Sequence, residues 1–282
     1  MVYPPLSLSP KIKGTELLIN TTDGTKLYTL TMGDGEKTVV LAHGYGFTMD
    51  EWNVVAPRLV ASGCRVILFD QRGHGRSTIG SGGIGSAVMA ADYRAVLEHY
   101  DVRRATLVGH SMGGFLAIKT LLTYPELMPE RVDRLVLVAS FAGDINKKNF
   151  QNRLQIPLLR SGILMRLIKI RFTGNAFARS LMGENPDPEV MRAVLALFKA
   201  QNHRALLPIL AAFGKESYYD QLRHISIPCF VLTGSKDKTA PPFHAEDLAR
   251  LIPNARKITV PGKGHPLNWE APEAICEAVL LK

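Results

Sequence analysis

Short apolar runs alternate with helical patterns along most of this 282-residue chain. After a hairpin signal around Asp23-Gly24, strand-like runs recur at residues 38–44, 65–70, 104–109 and 134–140, and then at 228–233 and 257–260. Continuous apolar runs of this length are typical of parallel strands that are covered on both faces. The sequence therefore predicts an α/β fold with a mainly parallel central sheet flanked by helices.

The alternation breaks between residues 142 and 215. This stretch contains only helical patches, separated by glycine and proline. We interpret it as a helical cap inserted into the sheet domain. The predicted organisation is thus a core of residues 1–141 and 216–282, with a cap of residues 142–215.

The net charge of +9 is concentrated in the predicted cap. Residues 142–215 contain twelve Lys and Arg against four Asp and Glu, and residues 145–183 contain no acidic residue. Such a local excess indicates a function of that segment, and we predict no nucleic-acid partner.

Residues 157–172, PLLRSGILMRLIKIRF, predict a basic amphipathic helix with Ile163, Leu164, Leu167 and Ile168 on one face. Two interpretations stay open: peripheral contact with an anionic membrane, or a cap helix that packs over a site and keeps its charges in water. In both, the apolar lining favours a small hydrophobic substrate.

Location is suggested by what the sequence lacks. No window approaches 18 uninterrupted apolar residues, and residues 1–10 do not read as a secretory signal. The cysteines Cys64, Cys229 and Cys276 are widely separated and suggest neither a disulfide nor a metal cluster. We expect a cytoplasmic protein, with peripheral membrane contact as the open alternative.

Ser111 stands between glycines, in GHSMG, where a strand must give way to a helix. Residues two positions either side of so sharp a turn would collide if they carried side chains, and glycine removes the collision. The serine hydroxyl is then exposed above the sheet edge. Met112 begins the helix, where its N–H and the positive end of the helix dipole suit a developing oxyanion.

A serine nucleophile needs a base and an acid, and candidates follow two later strands. Asp237 lies just beyond the strand at 228–233, and His265 lies beyond the strand at 257–260. Because the carboxyl ends of parallel strands share one rim of the sheet, Ser111, Asp237 and His265 are predicted to converge there. No histidine pair has metal-ligand spacing with a carboxylate, so we predict no metal. Catalysis by a serine with a base and an acid requires no cofactor, and we predict none.

With these motifs, the chain resembles the α/β-hydrolase superfamily over nearly its full length. The order Ser, Asp, His matches that superfamily. LAHGYG (41–46) resembles its oxyanion loop, which implies a backbone N–H from Tyr45 beside that of Met112. FDQRGHGRS (69–77) resembles a motif that braces a turn, and GKGHPLNWEAPE resembles the surroundings of the superfamily's catalytic histidine.

The resemblance implies a serine hydrolase that works through an acyl-enzyme. Superfamily members that attack alkyl carbons carry aspartate at the position of Ser111, so serine favours a carbonyl substrate. We expect a lipase-like or monoacylglycerol-type carboxylesterase for esters with a hydrophobic acyl or ring group. The alternatives are a lactonase, a C–C bond hydrolase of ring-cleavage products, and a ligand receptor with little turnover. Perhydrolysis, as in cofactor-free haloperoxidases, is a further side activity to consider.

Overall fold

A computed structural model describes residues 13–146 and 149–281. Its single sheet has eight strands in the order β1-β2-β4-β3-β5-β6-β7-β8. The strands are β1 Thr15–Asn20, β2 Lys26–Met32, β3 Lys37–Ala42, β4 Cys64–Phe69, β5 Ala105–His110, β6 Val132–Val138, β7 Cys229–Gly234 and β8 Ala255–Val260. β1 and β2 form the predicted hairpin, and β2 pairs antiparallel with β4. All strand pairs from β4 to β8 are parallel, as the sequence predicted.

Helices cover both faces of the sheet. The helices are α1 Val55–Ala61, α2 Ser86–His99, α3 Met112–Thr123, α4 Leu127–Glu130, α5 Phe150–Arg160, α6 Ile163–Leu167, α7 Arg171–Leu181, α8 Pro188–Ala200, α9 Leu207–Lys215, α10 Pro242–Leu251, α11 Leu267–Glu270 and α12 Pro272–Leu280. Two short 3-10 helices, Met49–Trp52 and Tyr219–His224, join them. The α1 and α12 side chains pack on one face of the sheet, and those of α2, α3 and α10 pack on the other. The result is a mainly parallel α/β sheet that helices cover on both faces.

Five helices, α5 to α9, follow β6 and precede β7. Their buried side chains, including Leu159, Phe177 and Val194, belong to the same apolar cluster as one face of the sheet. The segment therefore packs on the sheet domain through a shared core. None of the helices in the described part of the chain combines the length and apolar character that crossing a bilayer requires.

The amphipathic helix predicted over residues 157–172 is wrong as a single element. α5 ends at Arg160, and Gly162 adopts a left-handed conformation with φ 75° that starts the short helix α6. A second break at Ile170 precedes α7. Within α6 and at its C-cap, Leu164 and Ile168 are buried while Ile163 and Leu167 are exposed, so only part of the predicted apolar face is covered.

The motif at residues 69–77 forms a buried network beside the sheet. The Arg72 guanidinium donates to Asp92 at 2.7 Å and to Asp23 at 2.6 Å. The Asp70 carboxylate accepts from the N–H groups of Met49 and Arg76, each at 2.9 Å. These contacts link the first hairpin to α2 and fix the loop after β4.

The cysteines Cys64, Cys229 and Cys276 are buried free thiols. The expectation about a secretory signal concerns residues 1–10, which lie outside the described residues. Lys147 and Lys148, counted in the basic segment, also lie outside them.

Candidate active site

Ser111 occupies the turn between β5 and α3, with φ 51° and ψ −114°. A positive φ is rare and strained for a residue with a side chain, and such strain collects at functional sites. The Ser111 N–H donates to the Val138 carbonyl at 2.9 Å, and the Ser140 hydroxyl donates to the Ser111 carbonyl at 2.9 Å. The end of β6 therefore holds this strained turn in place.

The glycines around Ser111 are required by close contacts. A Cβ on Gly113 would lie 2.2 Å from the Ala42 carbonyl oxygen, and one on Gly109 would lie 2.4 Å from the Gly114 nitrogen. Real Cβ atoms essentially never approach other atoms below 3.0 Å. The turn and the start of α3 can thus fit against β3 only without side chains at these positions.

Asp237 and His265 form a hydrogen-bonded pair in the loops after β7 and β8. His265 Nδ1 lies 2.9 Å from Asp237 Oδ2, and both side chains are buried. The other carboxylate oxygen, Oδ1, accepts from the N–H groups of Thr239 at 2.8 Å and Ala240 at 2.9 Å. A neutral His265 that donates from Nδ1 keeps its lone pair on Nε2, as a general base must.

Ser111 and His265 lie in the wall of the same pocket. The hydrogen bonds among the described residues do not include one between the Ser111 hydroxyl and His265. A bond of this kind is often long without substrate and tightens when substrate binds. The structure thus joins the predicted acid directly to the predicted base, and it places the predicted nucleophile at the same pocket.

Two lysines flank Asp237 in the sequence. The Lys236 ammonium turns to Glu184, with 2.9 Å between Nζ and Oε1. Asp237 is only 3% exposed, and its carboxylate contacts His265 and accepts hydrogen bonds from two backbone N–H groups. Asp237 is therefore buried and hydrogen-bonded, and it is not a solvated loop charge.

The N–H groups of Tyr45 and Met112 donate no hydrogen bond to any other residue within 13–146 and 149–281. The N–H groups of the two residues next to Tyr45, in contrast, are both hydrogen-bonded. The Gly44 N–H donates to Glu51 and the Gly46 N–H donates to His74. Met112 is the first residue of α3, where a helix leaves N–H groups for an external acceptor. Both predicted oxyanion donors thus remain available for a ligand.

A buried hydrogen-bonded pair behind the site, Glu51 with His110, was not predicted from the sequence. The fully buried Glu51 carboxylate accepts from His110 Nδ1 and from the Gly44 N–H, each at 3.0 Å. His110 Nε2 lies 3.2 Å from the His265 carbonyl oxygen. Both ring nitrogens of His110 face acceptors, so an imidazolium satisfies both. Glu51 and His110 are 59 positions apart in sequence, and no local pattern announces their contact.

This arrangement shifts the pKa of His110. Burial lowers the pKa of His110, but the Glu51 carboxylate and the hydrogen bonds to Glu51 and His265 outweigh burial. The pKa is therefore raised above the ordinary value for histidine. His110 thus links the predicted oxyanion loop, through Glu51, to the backbone of the residue predicted as base.

Two buried asparagines fasten α5 to the loop that carries Asp237. The Asn149 side-chain amide donates to the carbonyls of Lys238 at 3.0 Å and Thr239 at 3.1 Å. The Asn152 amide donates to the Thr239 carbonyl at 2.9 Å. The start of α5 is therefore hydrogen-bonded to the loop that contains Asp237. No local pattern predicted these contacts, because Asn149 and Asn152 are ordinary polar residues for the start of a helix.

The pocket beside Ser111 is lined mainly by apolar side chains, and its empty space of about 700 Å³ includes the part that is open to solvent. Tyr45, Phe47 and His265 contribute from the sheet domain. The helical segment supplies most of the remaining wall. Its apolar contributors include Leu159, Leu164, Phe177, Leu181, Phe198 and Phe213. Among the described residues, no cluster of three or more His, Cys, Asp or Glu is arranged to hold a metal ion.

The mainly parallel sheet, with Ser111, Asp237 and His265 in the loops at its rim, is consistent with the family that the sequence comparison identifies. The profile of the α/β-hydrolase fold matches residues 37–272, and the chain belongs to that family.

The proteins similar to this chain include some that are named haloperoxidases and some that are named esterases. BpoC of Mycobacterium tuberculosis, provisionally named a non-heme bromoperoxidase, is 29% identical over 252 residues, covering 88% of this chain and 94% of BpoC. The bifunctional esterase/perhydrolase DCH of Acinetobacter calcoaceticus is 27% identical over 275 residues, covering 93% of this chain and 97% of DCH. The structure of a bromoperoxidase from Bacillus anthracis superposes with a TM-score of 0.82 at 24% identity, covering 95% of this chain and 99% of that one. The last match supports the fold alone.

Proposed function

We propose that this protein hydrolyses carboxylic esters whose acyl or ring group is hydrophobic, as a lipase-like or monoacylglycerol-type esterase. The observation that carries the proposal is the Asp237–His265 hydrogen bond at the wall of an apolar pocket that also contains Ser111. Ester hydrolysis is also the first activity in the name of DCH.

In the proposed reaction, His265 Nε2 takes the proton of the Ser111 hydroxyl as its oxygen attacks the ester carbonyl carbon. Asp237 holds the imidazolium that forms. The N–H groups of Tyr45 and Met112 stabilise the oxyanion of the tetrahedral intermediate. Its collapse breaks the ester C–O bond, and His265 returns the proton to the departing alcohol. Water, activated by His265, then hydrolyses the acyl-enzyme and frees Ser111.

In this proposal residues 142–215 act as a cap that supplies the acyl-binding wall, and residues 1–141 and 216–282 supply the chemistry. The many pocket side chains from α5 to α9 support that division. An apolar wall stabilises a bound acyl chain by about 0.8 kcal/mol per buried CH₂ group.

The test combines a covalent probe with turnover. A fluorophosphonate is expected to label the wild type and to leave Ser111→Ala unlabelled. p-Nitrophenyl esters of graded chain length are expected to be hydrolysed, with kcat at least about 10⁴-fold lower in Ser111→Ala. Labelling of Ser111 without turnover of any ester would instead favour the ligand receptor. Turnover of lactones or of ring-fission dienones in preference to esters would favour those alternatives.

Perhydrolysis is a second candidate activity, because BpoC and DCH are both named for related chemistry. The acyl-enzyme would then be attacked by hydrogen peroxide in place of water. The peroxide O–H proton goes to His265, which passes it to the Ser111 oxygen as the acyl–serine bond breaks, and a peroxycarboxylic acid leaves. Oxidation of bromide by that acid, dependent on ester or carboxylate, on peroxide and on Ser111, is the measurement.

A further inference from the structure

Exposed apolar side chains are concentrated on the outside of α5, α6 and the start of α7. Of the ten large hydrophobic residues that are exposed in the described part of the chain, six lie within residues 150–172. They are Phe150, Leu154, Ile163, Leu167, Ile170 and Phe172. Phe150 and Phe172 are 82% and 83% exposed. We call these six residues the outer apolar face. Isolated exposed hydrophobics are common, but such a concentration marks an interaction surface.

The same surface is basic. Five exposed cationic side chains lie among the apolar ones, namely Arg153, Arg160, Arg166, Lys169 and Arg171. None of the five forms an ion pair with another described residue. Residues 145–183 contain no acidic residue to neutralise them. The surface therefore presents unneutralised positive charge around its apolar side chains.

The inner sides of α5 and α6 pack against the rest of the protein around the pocket. Leu159 of α5 and Leu164 of α6 are 7% and 8% exposed and face the pocket. In α5, Phe150 and Leu154 are one helical turn apart and lie on the opposite, outward side. The helices therefore pack on the rest of the protein through their inner side chains, and the residues of the outer apolar face take no part in that packing.

We propose that the outer apolar face docks on an anionic lipid surface. Its aromatic and aliphatic side chains enter the interface, and the surrounding Arg and Lys side chains contact anionic headgroups. A second copy of the chain fits this surface less well. A two-fold dimer would bring the same cationic residues against one another without acidic partners.

Docking does not itself depend on ester hydrolysis. Its value for catalysis rests on the proposed function, because the docked helices also form the wall of the pocket. Hydrophobic esters held in a bilayer would then be concentrated beside the helices that bind them.

Vesicle sedimentation with the full chain carrying Ser111→Ala tests docking without hydrolysis of lipid. The probe is sucrose-loaded phosphatidylcholine vesicles with about 30% phosphatidylglycerol, compared with phosphatidylcholine alone. Binding is expected on the anionic vesicles, and is expected to fall at least about tenfold between about 0.1 M and about 0.5 M salt. Equal or absent binding on both vesicle types overturns the proposal.

Two pairs of variants locate the surface. Phe150→Ser with Phe172→Ser, and separately Arg166→Glu with Lys169→Glu, are each expected to lower partitioning about tenfold or more. The matched controls are Leu17→Ser with Leu18→Ser on β1, and Arg223→Glu with Arg256→Glu. Controls that lose as much binding as the test variants overturn the proposal.

Two further readouts separate the explanations. With Ser111 restored, the outer-face variants are expected to hydrolyse a water-soluble ester at the wild-type rate, since none of the changed residues lines the pocket. If the wild type binds the anionic vesicles but hydrolyses no ester, the proposed function is overturned and the docking proposal stands. A concentration-dependent dimer in sedimentation velocity, abolished by the Phe150 and Phe172 changes and without vesicle binding, would assign the face to a second copy.

Discussion

The loops at the sheet rim and the helices α5 to α7 border the same pocket under opposite constraints. Ser111, Asp237 and His265 are 7%, 3% and 4% exposed, and backbone and buried side chains hold them. Across the pocket, α5 to α7 bury a few leucines and leave Phe150 and Phe172 in solvent. Proton transfer needs groups fixed to a fraction of an ångström, whereas an acyl chain or a lipid surface needs only apolar area. The comparison predicts that substitutions in the rim loops lower the turnover of every ester by a similar factor. Substitutions in α5 to α7 are predicted to lower the turnover of some esters more than that of others.

The largest rim effect is expected from Asp237→Asn. Asparagine keeps the size of the side chain, but its amide donates a hydrogen bond where the carboxylate accepts one, so His265 is held in the wrong tautomer. We expect kcat to fall about 10³- to 10⁴-fold for short and long acyl esters alike. The exposed Asp220→Asn serves as the control. A loss confined to one chain length would contradict the division between rim and helices.

Stability of the rim is probed by Gly113→Ala. The new Cβ would lie 2.2 Å from the Ala42 carbonyl oxygen, which is backbone of β3 and cannot move aside. We expect a loss of about 3 kcal/mol in the free energy of unfolding, measured in urea. Gly85→Ala, where nothing lies within 4 Å of the added Cβ, is expected to cost less than about 1 kcal/mol. Similar losses in both variants would show that the turn tolerates a side chain.

Sequence patterns were more informative about the rim than about the helices. The strands and the positions of Ser111, Asp237 and His265 follow from runs and turns that lie within a few residues of one another. The split of the predicted helix at Gly162 depends on a left-handed glycine, and glycine also occurs inside helices. Contacts such as Asn152 with Thr239 join residues 87 positions apart. Tertiary packing sets these contacts, and periodicity does not encode them.

Glu51→Gln tests whether the rim is supported by charge. The raised pKa of His110 means that the pair stabilises the fold below pH 6.5, the ordinary histidine pKa, and that this contribution is lost as pH rises through the raised value. We expect wild type to exceed Glu51→Gln by about 2 kcal/mol in unfolding free energy at pH 6, and by less at pH 9.

Urea unfolding at both pH values measures this difference. The exposed Glu98→Gln, which removes a surface pair with Arg94, is the control and is expected to change stability by less than about 0.5 kcal/mol at either pH. A difference for Glu51→Gln that is independent of pH would show that His110 is neutral and that the pair acts by hydrogen bonding alone.

The smallest effect is expected on the helical side, from Leu164→Ala. Leu164 lines the pocket, and its truncation removes apolar contact with an acyl chain long enough to reach α6. We expect kcat/KM for p-nitrophenyl octanoate to fall about five- to tenfold, with less than about twofold change for the acetate, which is too short to reach it. Leu167→Ala, in the same helix but 37% exposed and outside the pocket wall, is expected to change neither value. An equal loss on both esters would mean that α6 supports the rim and does not select the substrate, and the contrast between the two sides of the pocket would fail.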